Sequence, residues 1–442
     1  MKRMLLIWGA AMLLLTVAGL GAAGVAAAAT ELWHRAYDGP AHGSDAFTAV
    51  VRGAADSAYA AGYAAATGGH RTDMLLVRYA SDGTRKWVRL WNGPASGNDR
   101  CRGLARDAAG ALYLAGSTAG RGGDAALVKY SAAGTLLWSR RYDSGHAQRD
   151  EARFVLPGPG GRGVYVVIET LTPAGWRWAV MRYDGDGSRR WLVRRSIDWF
   201  PDQWRSQDAT TDGSGNVYVA GWGQFGDLRE PLLISYSPAG APRWGFNNDS
   251  IYTYADAVAV TCTRDGVAVA TNRAATVGEL NGGWLFMVPY ATSTWAWYSD
   301  SVPPAYSWKF HDVSSMSNGH LLTIGRFLNG LRSSGFLQEQ DGATGAGVPD
   351  GAWTWSDDVD CTGDFVAVDS SDKAWIAGKH GAGLSVLHYE PGSGITWTYN
   401  YTGHEASRAL ALTATSNPGA CVAGWARDSG KSANAFIMRV AP

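Results

Sequence analysis

The stretch YSPAGAPRW at residues 236–244 shows the pattern from which the fold can be predicted: a tyrosine, a turn that contains glycine, and then a tryptophan. The same phrase recurs as YASDGTRKW, YSAAGTLLW, YDGDGSRRW and YEPGSGITW, beginning at residues 79, 130, 183 and 389. With the degenerate copies included, the tryptophans fall at residues 33, 87, 138, 191, 244, 297, 355 and 397. A period of about 50 residues is typical of stacked or radial repeat proteins. Most of the sequence therefore encodes architecture.

One repeat, residues 99–141, contains four short apolar segments that are separated by turns of small residues. They predict strands at about 100–106, at ALYLAG, at ALVKY and at LLWSR. Short alternating or apolar runs between glycine-rich turns are strand signals, and helical periodicity is absent after the first 29 residues. Four antiparallel strands in each repeat are typical of a propeller blade.

Second and third strands can each be counted eight times along the chain. Residues 30–442 begin at a fourth strand, LWHRAY, and end just after a third strand, FIMRV. We therefore predict an all-β, eight-bladed β-propeller of four-stranded antiparallel blades. The N-terminal strand completes the blade whose other three strands come from 407–441, and this one-plus-three closure removes free sheet edges.

Residues 1–29 have the features of a secretory signal peptide. Lys2 and Arg3 precede a mostly apolar run at 5–17, and small residues follow up to Ala29. Such a segment is removed from the mature protein, although it is also long enough to remain as a membrane anchor. A retained helix would crowd the closing strand at Trp33, so we expect cleavage, no membrane span afterwards, and a secreted, periplasmic or cell-surface location.

Charge and cysteine content narrow the possible partners. Lys+Arg and Asp+Glu both number 39, so no basic field exists to attract nucleic acid. The four cysteines lack zinc-ligand spacing, and the nine histidines form no metal-like pair. We expect buried thiols, with Cys361 and Cys421 as the single pair in neighbouring repeats that could form a disulfide. We also expect a monomer with no metal and no cofactor.

Two phrases, DAAGALYLAG at 107–116 and DGSGNVYVAG at 212–221, together with the tyrosine–tryptophan phrase, resemble the bacterial secreted β-propeller repeat (SBBP-type) family. The chain is more loosely similar to eight-bladed quinoprotein-like propellers. The resemblance covers nearly all of 31–441 and is weakest in blades five and six. It implies a propeller fold and a secreted or surface location, but no particular reaction. The quinoprotein-like enzymes usually have adjacent cysteines, and this chain has no Cys-Cys pair.

Six aspartates open or precede predicted first strands: Asp45, Asp99, Asp150, Asp256, Asp312 and Asp364. One interpretation is a ring of carboxylates at the channel mouth that binds a cation or sugar hydroxyls. The other, which we favour, is that each carboxylate accepts backbone N–H bonds and holds the loop that enters the blade.

The predicted strand order places two sets of loops on one side of the ring, which we call the loop face. These loops join second to third strands and fourth strands to the next blade, and they are long and irregular. In blades four to six they carry the aromatic candidates for ligand binding: Trp199, Phe200, Trp204, Phe225, Tyr252, Tyr254, Tyr306 and Trp308. Exposed rings suit sugar stacking or a protein hot spot; alternatively, these rings pack against one another as a local cap.

These observations favour a secreted, non-catalytic propeller that binds an extracellular glycan or a surface protein through the loop face. No nucleophile elbow or zinc-protease motif occurs in the chain. A second hypothesis is a polysaccharide-cleaving enzyme, which requires two suitably spaced carboxylates, or a quinone-dependent dehydrogenase. A third hypothesis is a scaffold for assembly of the cell envelope.

Overall fold

The computed structural model describes residues 30–442 except 68–70, 121, 195–202, 227, 248–254, 274–281, 292–293, 301–306, 330–331, 356–358 and 417–418. The predicted signal peptide at 1–29 lies outside the described residues. Within them, 32 strands form eight four-stranded antiparallel sheets. The predicted eight-bladed propeller is therefore confirmed.

Blades one to four are formed by consecutive strands. Blade one consists of β2 (Ala46–Arg52), β3 (Ala58–Ala65), β4 (Thr72–Tyr79) and β5 (Arg85–Trp91). Blade two consists of β6 (Arg100–Arg106), β7 (Leu112–Thr118), β8 (Asp124–Tyr130) and β9 (Leu136–Tyr142). Blade three consists of β10 (Asp150–Pro157), β11 (Val164–Thr172), β12 (Gly175–Tyr183) and β13 (Arg189–Arg194). Blade four consists of β14 (Gln203–Thr211), β15 (Val217–Phe225), β16 (Leu228–Tyr236) and β17 (Pro242–Asn247).

Blades five to eight complete the ring. Blade five consists of β18 (Ala255–Cys262), β19 (Gly266–Arg273), β20 (Gly282–Pro289) and β21 (Trp297–Asp300). Blade six consists of β22 (Ser307–Ser315), β23 (Leu321–Asn329), β24 (Arg332–Gln340) and β25 (Gly347–Trp355). Blade seven consists of β26 (Phe365–Val368), β27 (Ala374–His380), β28 (Gly383–Glu390) and β29 (Gly394–Tyr401). Blade eight consists of β30 (Ala406–Ala414), β31 (Ala420–Arg427), β32 (Asn434–Ala441) and β1 (Thr30–Tyr37). Single 3-10 turns at Ala54–Asp56 and Pro159–Gly161 join first to second strands in blades one and three.

The ring closes in the way the strand count predicts. β1 pairs antiparallel with β32, from Thr30 opposite Ala441 to Tyr37 opposite Ala435. Each first strand contacts the first strand of the next blade, and β30 contacts β2. The first strands therefore surround the axis without a gap between blades eight and one.

Hydrophobic residues are buried between the blades. Eight buried clusters of described residues occur, and each combines side chains from two adjoining blades. An isolated blade would leave both faces of its sheet in water, so the apolar free energy of burial is obtained only when neighbours stack.

The tyrosine–tryptophan phrase forms a contact between neighbouring blades. Trp191, at the end of blade three, donates Nε1–H to the Pro238 carbonyl of blade four at 3.1 Å. Gly240 in the same turn has a φ of 85°, and a Cβ there would lie 2.6 Å from Trp191 Cδ2. The same arrangement joins Trp33 to Gly83, Trp138 to Gly187 and Trp297 to Gly345. The glycine is thus required both by the left-handed turn and by the indole that covers it.

In blade six the structure differs from the predicted repeat, which used Trp355. Gly394 of blade seven is covered by Trp353, because a Cβ on this glycine would lie 2.4 Å from Trp353 Nε1. Trp355 instead packs against Gly335 within blade six. The fourth strands of blades one to four and seven shift register by one residue at this place. In blade six the pairing passes from Gln338 opposite Ala352 to Gln340 opposite Gly347, and this longer bulge moves the indole out of its usual position.

No disulfide joins any of the four cysteines, in agreement with the expectation of thiols, and the possible Cys361–Cys421 bridge does not form. Cys421 belongs to the cluster between blades eight and one. Cys361 lies at the entrance to blade seven, where its backbone forms an isolated antiparallel β-bridge with His380. The two thiols therefore lie on opposite sides of blade eight. Burial raises the pKa of Cys101 and of Cys421 to about 12, so both remain protonated.

We expect Gly240→Ala to destabilise the protein more than Gly319→Ala. Both glycines have positive φ, but a Cβ at Gly319 meets no atom within 4 Å. Gly319→Ala should cost about 1–2 kcal/mol of unfolding free energy from the left-handed backbone alone. Gly240→Ala should cost about 1–3 kcal/mol more, because the methyl group overlaps the Trp191 ring. Urea denaturation of both variants measures the difference, and equal losses would contradict a role for the indole contact.

Candidate functional site

A bulge in each first strand gives a common reference for the loop face. One extra residue interrupts pairing with the second strand, at Thr48, Arg102, Arg153, Gln207, Val258, His311 and Leu410. In blade seven, Asp364 is the equivalent extra residue. Its N–H donates to the carbonyl of Ala377, and the next residue, Phe365, is paired with the same Ala377, so two residues of the first strand face one of the second. We call the residue three places before the bulge the anchor position. It is occupied, from blade one to blade eight, by Asp45, Asp99, Asp150, Trp204, Ala255, Trp308, Cys361 and Ser407.

The aspartates at the anchor position of blades one to three hold the entering loop. Asp45 accepts the N–H groups of Gly39 and Ala65 at 2.6 and 2.7 Å. Asp99 accepts the Gly93 N–H at 2.6 Å, and Asp150 accepts the Ser144 N–H at 2.7 Å. All three carboxylates are fully buried. The loop N–H groups lose their hydrogen bonds to water on folding, and the carboxylate oxygens accept hydrogen bonds from them instead.

The other three predicted aspartates occupy different places, so the six do not form one ring. Asp256 is one residue beyond the anchor position and lies 3.8 Å from Arg229 Nη1. Asp364 is the bulge residue, with its Oδ1 2.9 Å from His311 Nδ1. Although burial raises the pKa of Asp364, the hydrogen bond with His311 and the charge of that imidazole outweigh burial and lower it.

Asp312 directly follows the bulge and faces the next blade near the axis. It accepts the Val313 N–H at 2.8 Å and, from blade seven, the Val366 N–H at 2.9 Å. The inner edge of a first strand has no neighbouring strand in its own sheet, so such amides need another acceptor. Burial, together with the charge of Asp208, raises the pKa of Asp312 to about 7.

Asp208 is the equivalent residue of blade four and was missed by the sequence analysis. It accepts the Val260 N–H of blade five at 2.9 Å, and burial raises its pKa to about 6. The same place holds alanine, glycine or phenylalanine in the other blades: Ala49, Gly103, Phe154, Ala259, Phe365 and Ala411. Alignment on the second-strand glycine, not on the start of the first strand, would have found it.

A cavity of about 290 Å³ opens on the loop face between blades three and four, and we call it the blade 3–4 cavity. Its described lining is Ser144, His146, Thr170, Thr172, Arg177, Trp178, Ala179, Arg194 and Trp204. Here Trp204 replaces the anchor aspartate of blades one to three. The guanidinium of Arg177 lies 4.3 Å from the Trp204 ring centroid. In blade four the anchor residue Trp204 therefore makes a cation–π contact with Arg177, whereas in blades one to three the anchor aspartate accepts hydrogen bonds from loop amides.

Several buried polar atoms around this cavity have no hydrogen-bond partner. They are Ser144 Oγ, Thr170 Oγ1 and Trp204 Nε1. By contrast, Trp178 Nε1 donates to Tyr236 at 3.3 Å, and Arg194 Nε donates to Tyr142 at 2.9 Å. Leaving a buried donor or acceptor unpaired costs about 1–3 kcal/mol, so these atoms indicate a place where a polar ligand binds favourably.

Of the eight predicted aromatic residues, Trp204 is the one that the described part of the chain places in this cavity. Trp199 and Phe200 belong to the segment 195–202, which joins Arg194 to Gln203 and lies outside the described residues. Tyr252, Tyr254 and Tyr306 also lie outside them, and so does the side chain of Phe225 in β15.

Trp308 has the anchor position of blade six but a packed environment. Its ring stacks on Phe327 with centroids 5.1 Å apart and meets Phe336 edge-on at 4.5 Å. The same sequence position therefore lines a cavity in blade four and belongs to an apolar cluster in blade six.

A second cavity, of about 620 Å³, lies between blades one and two. Its lining is mostly small, with Ala41, Gly43 and Ala65 among the residues, and Arg100 lies 4.7 Å over the Tyr63 ring. The anchor aspartate beside it, Asp99, has both oxygens paired. The blade 3–4 cavity is the better candidate site because it combines two indoles with unpaired polar atoms.

We expect Asp312→Ala to reduce the pH dependence of stability. Folding raises this pKa from 3.8 to about 7, so the folded state holds the proton more tightly, and stability is lost as pH rises through this range. Alanine occupies the same place in blades one, five and eight, so the backbone tolerates it. Urea midpoints at about pH 5 and about pH 8 should differ less in Asp312→Ala than in the wild type. The exposed Asp265→Ala is the control, and an unchanged slope in Asp312→Ala would contradict the assignment.

Comparison with known proteins supports the fold. No model of a protein family matches the sequence, and no curated protein matches it. Sqt1 from Chaetomium thermophilum is similar over 93% of this chain and 99% of its own, with a TM-score of 0.58 and 11% identity. PorZ, a surface component of the type-IX secretion system of Porphyromonas gingivalis, is similar over 86% of this chain and 55% of its own, with a TM-score of 0.47 and 14% identity. The polysaccharide lyase Uly1 is similar over 77% of this chain and 89% of its own, with a TM-score of 0.47 and 9% identity. At such low identity, similarity to Sqt1 shows the propeller fold alone, and the two weaker matches add nothing to it.

Proposed function

We propose that this protein is a secreted or cell-surface propeller that binds a carbohydrate without cleaving it, and that the blade 3–4 cavity receives an acidic sugar unit. The observation that carries this proposal is the set of unpaired buried polar atoms beside two indoles in one cavity. The signal peptide at 1–29 and membership of the SBBP-type family belong to the same proposal.

The size of the cavity favours a small group over a protein segment. Its volume of about 290 Å³ is near the lower end of the range for small-molecule sites, about 300–1,000 Å³. One sugar residue of a longer chain fits such a space, while the rest of the chain crosses the loop face. Trp308 is packed in an apolar cluster. The other aromatic residues of the loops in blades four to six, Trp199 and Phe200 among them, are proposed to extend that contact.

The polar atoms suit a ligand with several hydroxyl groups. Trp204 Nε1 can only donate a hydrogen bond, whereas Ser144 Oγ and Thr170 Oγ1 can both donate and accept. A sugar ring presents donors and acceptors on its edge and C–H groups on its faces, and these C–H groups suit packing against the face of an indole.

The charge of the lining favours a carboxylate on the sugar. Arg177 and Arg194 line the cavity, and none of its nine described lining residues is acidic. Guanidinium groups bind carboxylates with charge-assisted, frequently bidentate hydrogen bonds. Cleavage of a glycosidic bond by the usual route requires two carboxyl groups beside the bond, so this lining supports binding and not hydrolysis.

We expect Trp204→Phe to weaken carbohydrate binding at least about tenfold, because phenylalanine lacks the indole N–H and leaves part of the wall empty. A glycan array that contains uronate and neutral oligosaccharides identifies the ligand, and titration calorimetry then measures the affinity of wild type and variant. Arg177→Gln should reduce binding of uronates more than binding of neutral sugars.

Trp308→Phe is the matched control, because Trp308 has the same anchor position and also an unpaired buried Nε1. It should cost similar stability and leave carbohydrate affinity unchanged. Absence of binding to every glycan would contradict the proposed function. Loss of binding in Trp308→Phe alone would move the site to blades five and six, and binding of neutral sugars alone would contradict the role of the arginines.

A further inference from the structure

Three aspartates meet on the loop face between blades two and three. Asp124, Asp143 and Asp150 each offer a carboxylate oxygen, and the three oxygens lie within 4.8 Å of one another. Asp124 is the first residue of β8, Asp143 follows β9, and Asp150 is the first residue of β10. We call them the aspartate trio. Asp124 is 1% exposed and Asp150 is 0% exposed, whereas Asp143 is open to solvent.

The two buried members of the trio are incompletely paired. Asp124 Oδ2 lies 3.1 Å from Arg141 Nη1, and Asp150 Oδ2 accepts the Ser144 N–H. Asp124 Oδ1 and Asp150 Oδ1 are buried and have no hydrogen-bond partner. An ionised oxygen without a partner in a buried site is costly, so a positively charged partner at this point would be strongly favoured.

A neighbouring hydroxyl provides a separate indication. Thr170 is 6% exposed, and its Oγ1 has no hydrogen-bond partner. Burial raises the pKa of Asp150, and the Thr170 hydroxyl beside this carboxylate opposes the rise, although it does not reach hydrogen-bond geometry. In the preceding crevice the equivalent Thr118 donates to Asp99 at 2.5 Å. A cation can bind the oxygens of both Thr170 and Asp150, which explains why the two are close but unbonded.

The repeat supplies an internal comparison at the three crevices where the anchor residue is aspartate. The three equivalent positions are Asn434, Asp38 and Asp45 between blades eight and one, and Asp73, Asn92 and Asp99 between blades one and two. Each of these crevices has one asparagine in the set, and its anchor carboxylate has both oxygens paired with N–H or O–H donors. The crevice between blades two and three thus differs from the other two in both respects: all three positions are aspartate, and Asp124 Oδ1 and Asp150 Oδ1 have no hydrogen-bond partner.

The local charge matches a divalent cation. The trio carries three negative charges when ionised, and Arg141, which is 50% exposed, supplies one positive charge. Burial raises the pKa of Asp124, and the neighbouring charges of Asp143 and Asp150 raise it further, against the opposite effect of Arg141. A bound cation would remove this repulsion.

We propose that Asp124, Asp143 and Asp150 bind a divalent cation, and that Ca²⁺ suits the site best. Ca²⁺ binds carboxylate, hydroxyl and carbonyl oxygens at about 2.3–2.6 Å in irregular shells, so oxygens on opposite sides of the ion are about 5 Å apart. Mg²⁺ requires shorter distances of about 2.0–2.1 Å and regular octahedral geometry. The Thr170 hydroxyl and water complete the shell.

Binding at this site would join three segments of the loop face. The trio links the start of β8, the loop 143–149 and the start of β10. Ser144 and His146 of the blade 3–4 cavity belong to the same loop. The cation would hold this wall of the cavity in place. The three aspartates do not line the cavity, although Thr170 does, so cation binding can be measured without any sugar.

The test uses the full chain after treatment with EDTA and dialysis. Titration calorimetry with CaCl₂ should show one site, and Ca²⁺ should raise the melting temperature. Asp143→Asn introduces the residue that the preceding crevice has at Asn92 and alters an exposed side chain, so the fold is retained. This variant should bind Ca²⁺ at least about tenfold more weakly and lose the thermal shift.

Asp99→Asn is the matched control, because it removes an anchor carboxylate from the preceding crevice and leaves the trio intact. It should lower the melting temperature and keep the Ca²⁺ affinity of the wild type. The proposal is overturned if the wild type shows neither heat nor thermal shift with Ca²⁺ or Mg²⁺. Unchanged affinity in Asp143→Asn, or loss of binding in Asp99→Asn alone, overturns it equally.

Discussion

Tryptophans packed over turn glycines of the next blade set the geometry of the whole ring. In the pair of Trp191 and Gly240, the indole donates to the turn carbonyl and covers the glycine, so one contact joins two sheets by a hydrogen bond and by close packing. The same contact recurs at several junctions of the ring, and at those junctions the apolar cluster forms between the two blades that it joins.

Within that frame, the crevices differ in the residue at the anchor position and in the side chains around it. Aspartate at Asp45, Asp99 and Asp150 holds the entering loop by accepting backbone amides. Trp204 cannot do so, and the blade 3–4 cavity opens where the exchange occurs. The two sides of blade three consequently differ in charge: one crevice has the aspartate trio and the other has two arginines. The proposed cation site and the proposed acidic-sugar site are chemically compatible, because each crevice concentrates the charge that its own ligand would need.

The prediction of the fold succeeded because its signals are local. Strand segments, turn glycines and the count of repeats can be read from neighbouring residues, and the closure of β1 against β32 follows from the count alone. The prediction was wrong where an irregularity in strand pairing changes the spacing between the tryptophan and its blade. The longer bulge of β25 in blade six brings Trp353 to the place expected for Trp355. For the site, Trp204 was among the predicted residues, but its partners Arg177 and Trp178 were not.

Repetition along the chain is enough to establish the all-β class, the number of blades, the mode of closure and the positions of most interblade tryptophans, since all of these recur at a nearly fixed spacing. Which side chains meet depends on the three-dimensional arrangement. The position of the bulge in each first strand determines which residues are equivalent on the loop face. For this reason the six predicted aspartates occupy different positions, and Asp208 is equivalent to Asp312. The partners in a crevice come from different strands of two blades, such as Asp124 and Asp150 or Arg177 and Trp204. Their meeting depends on the rotation between sheets, and no spacing along the chain encodes that rotation.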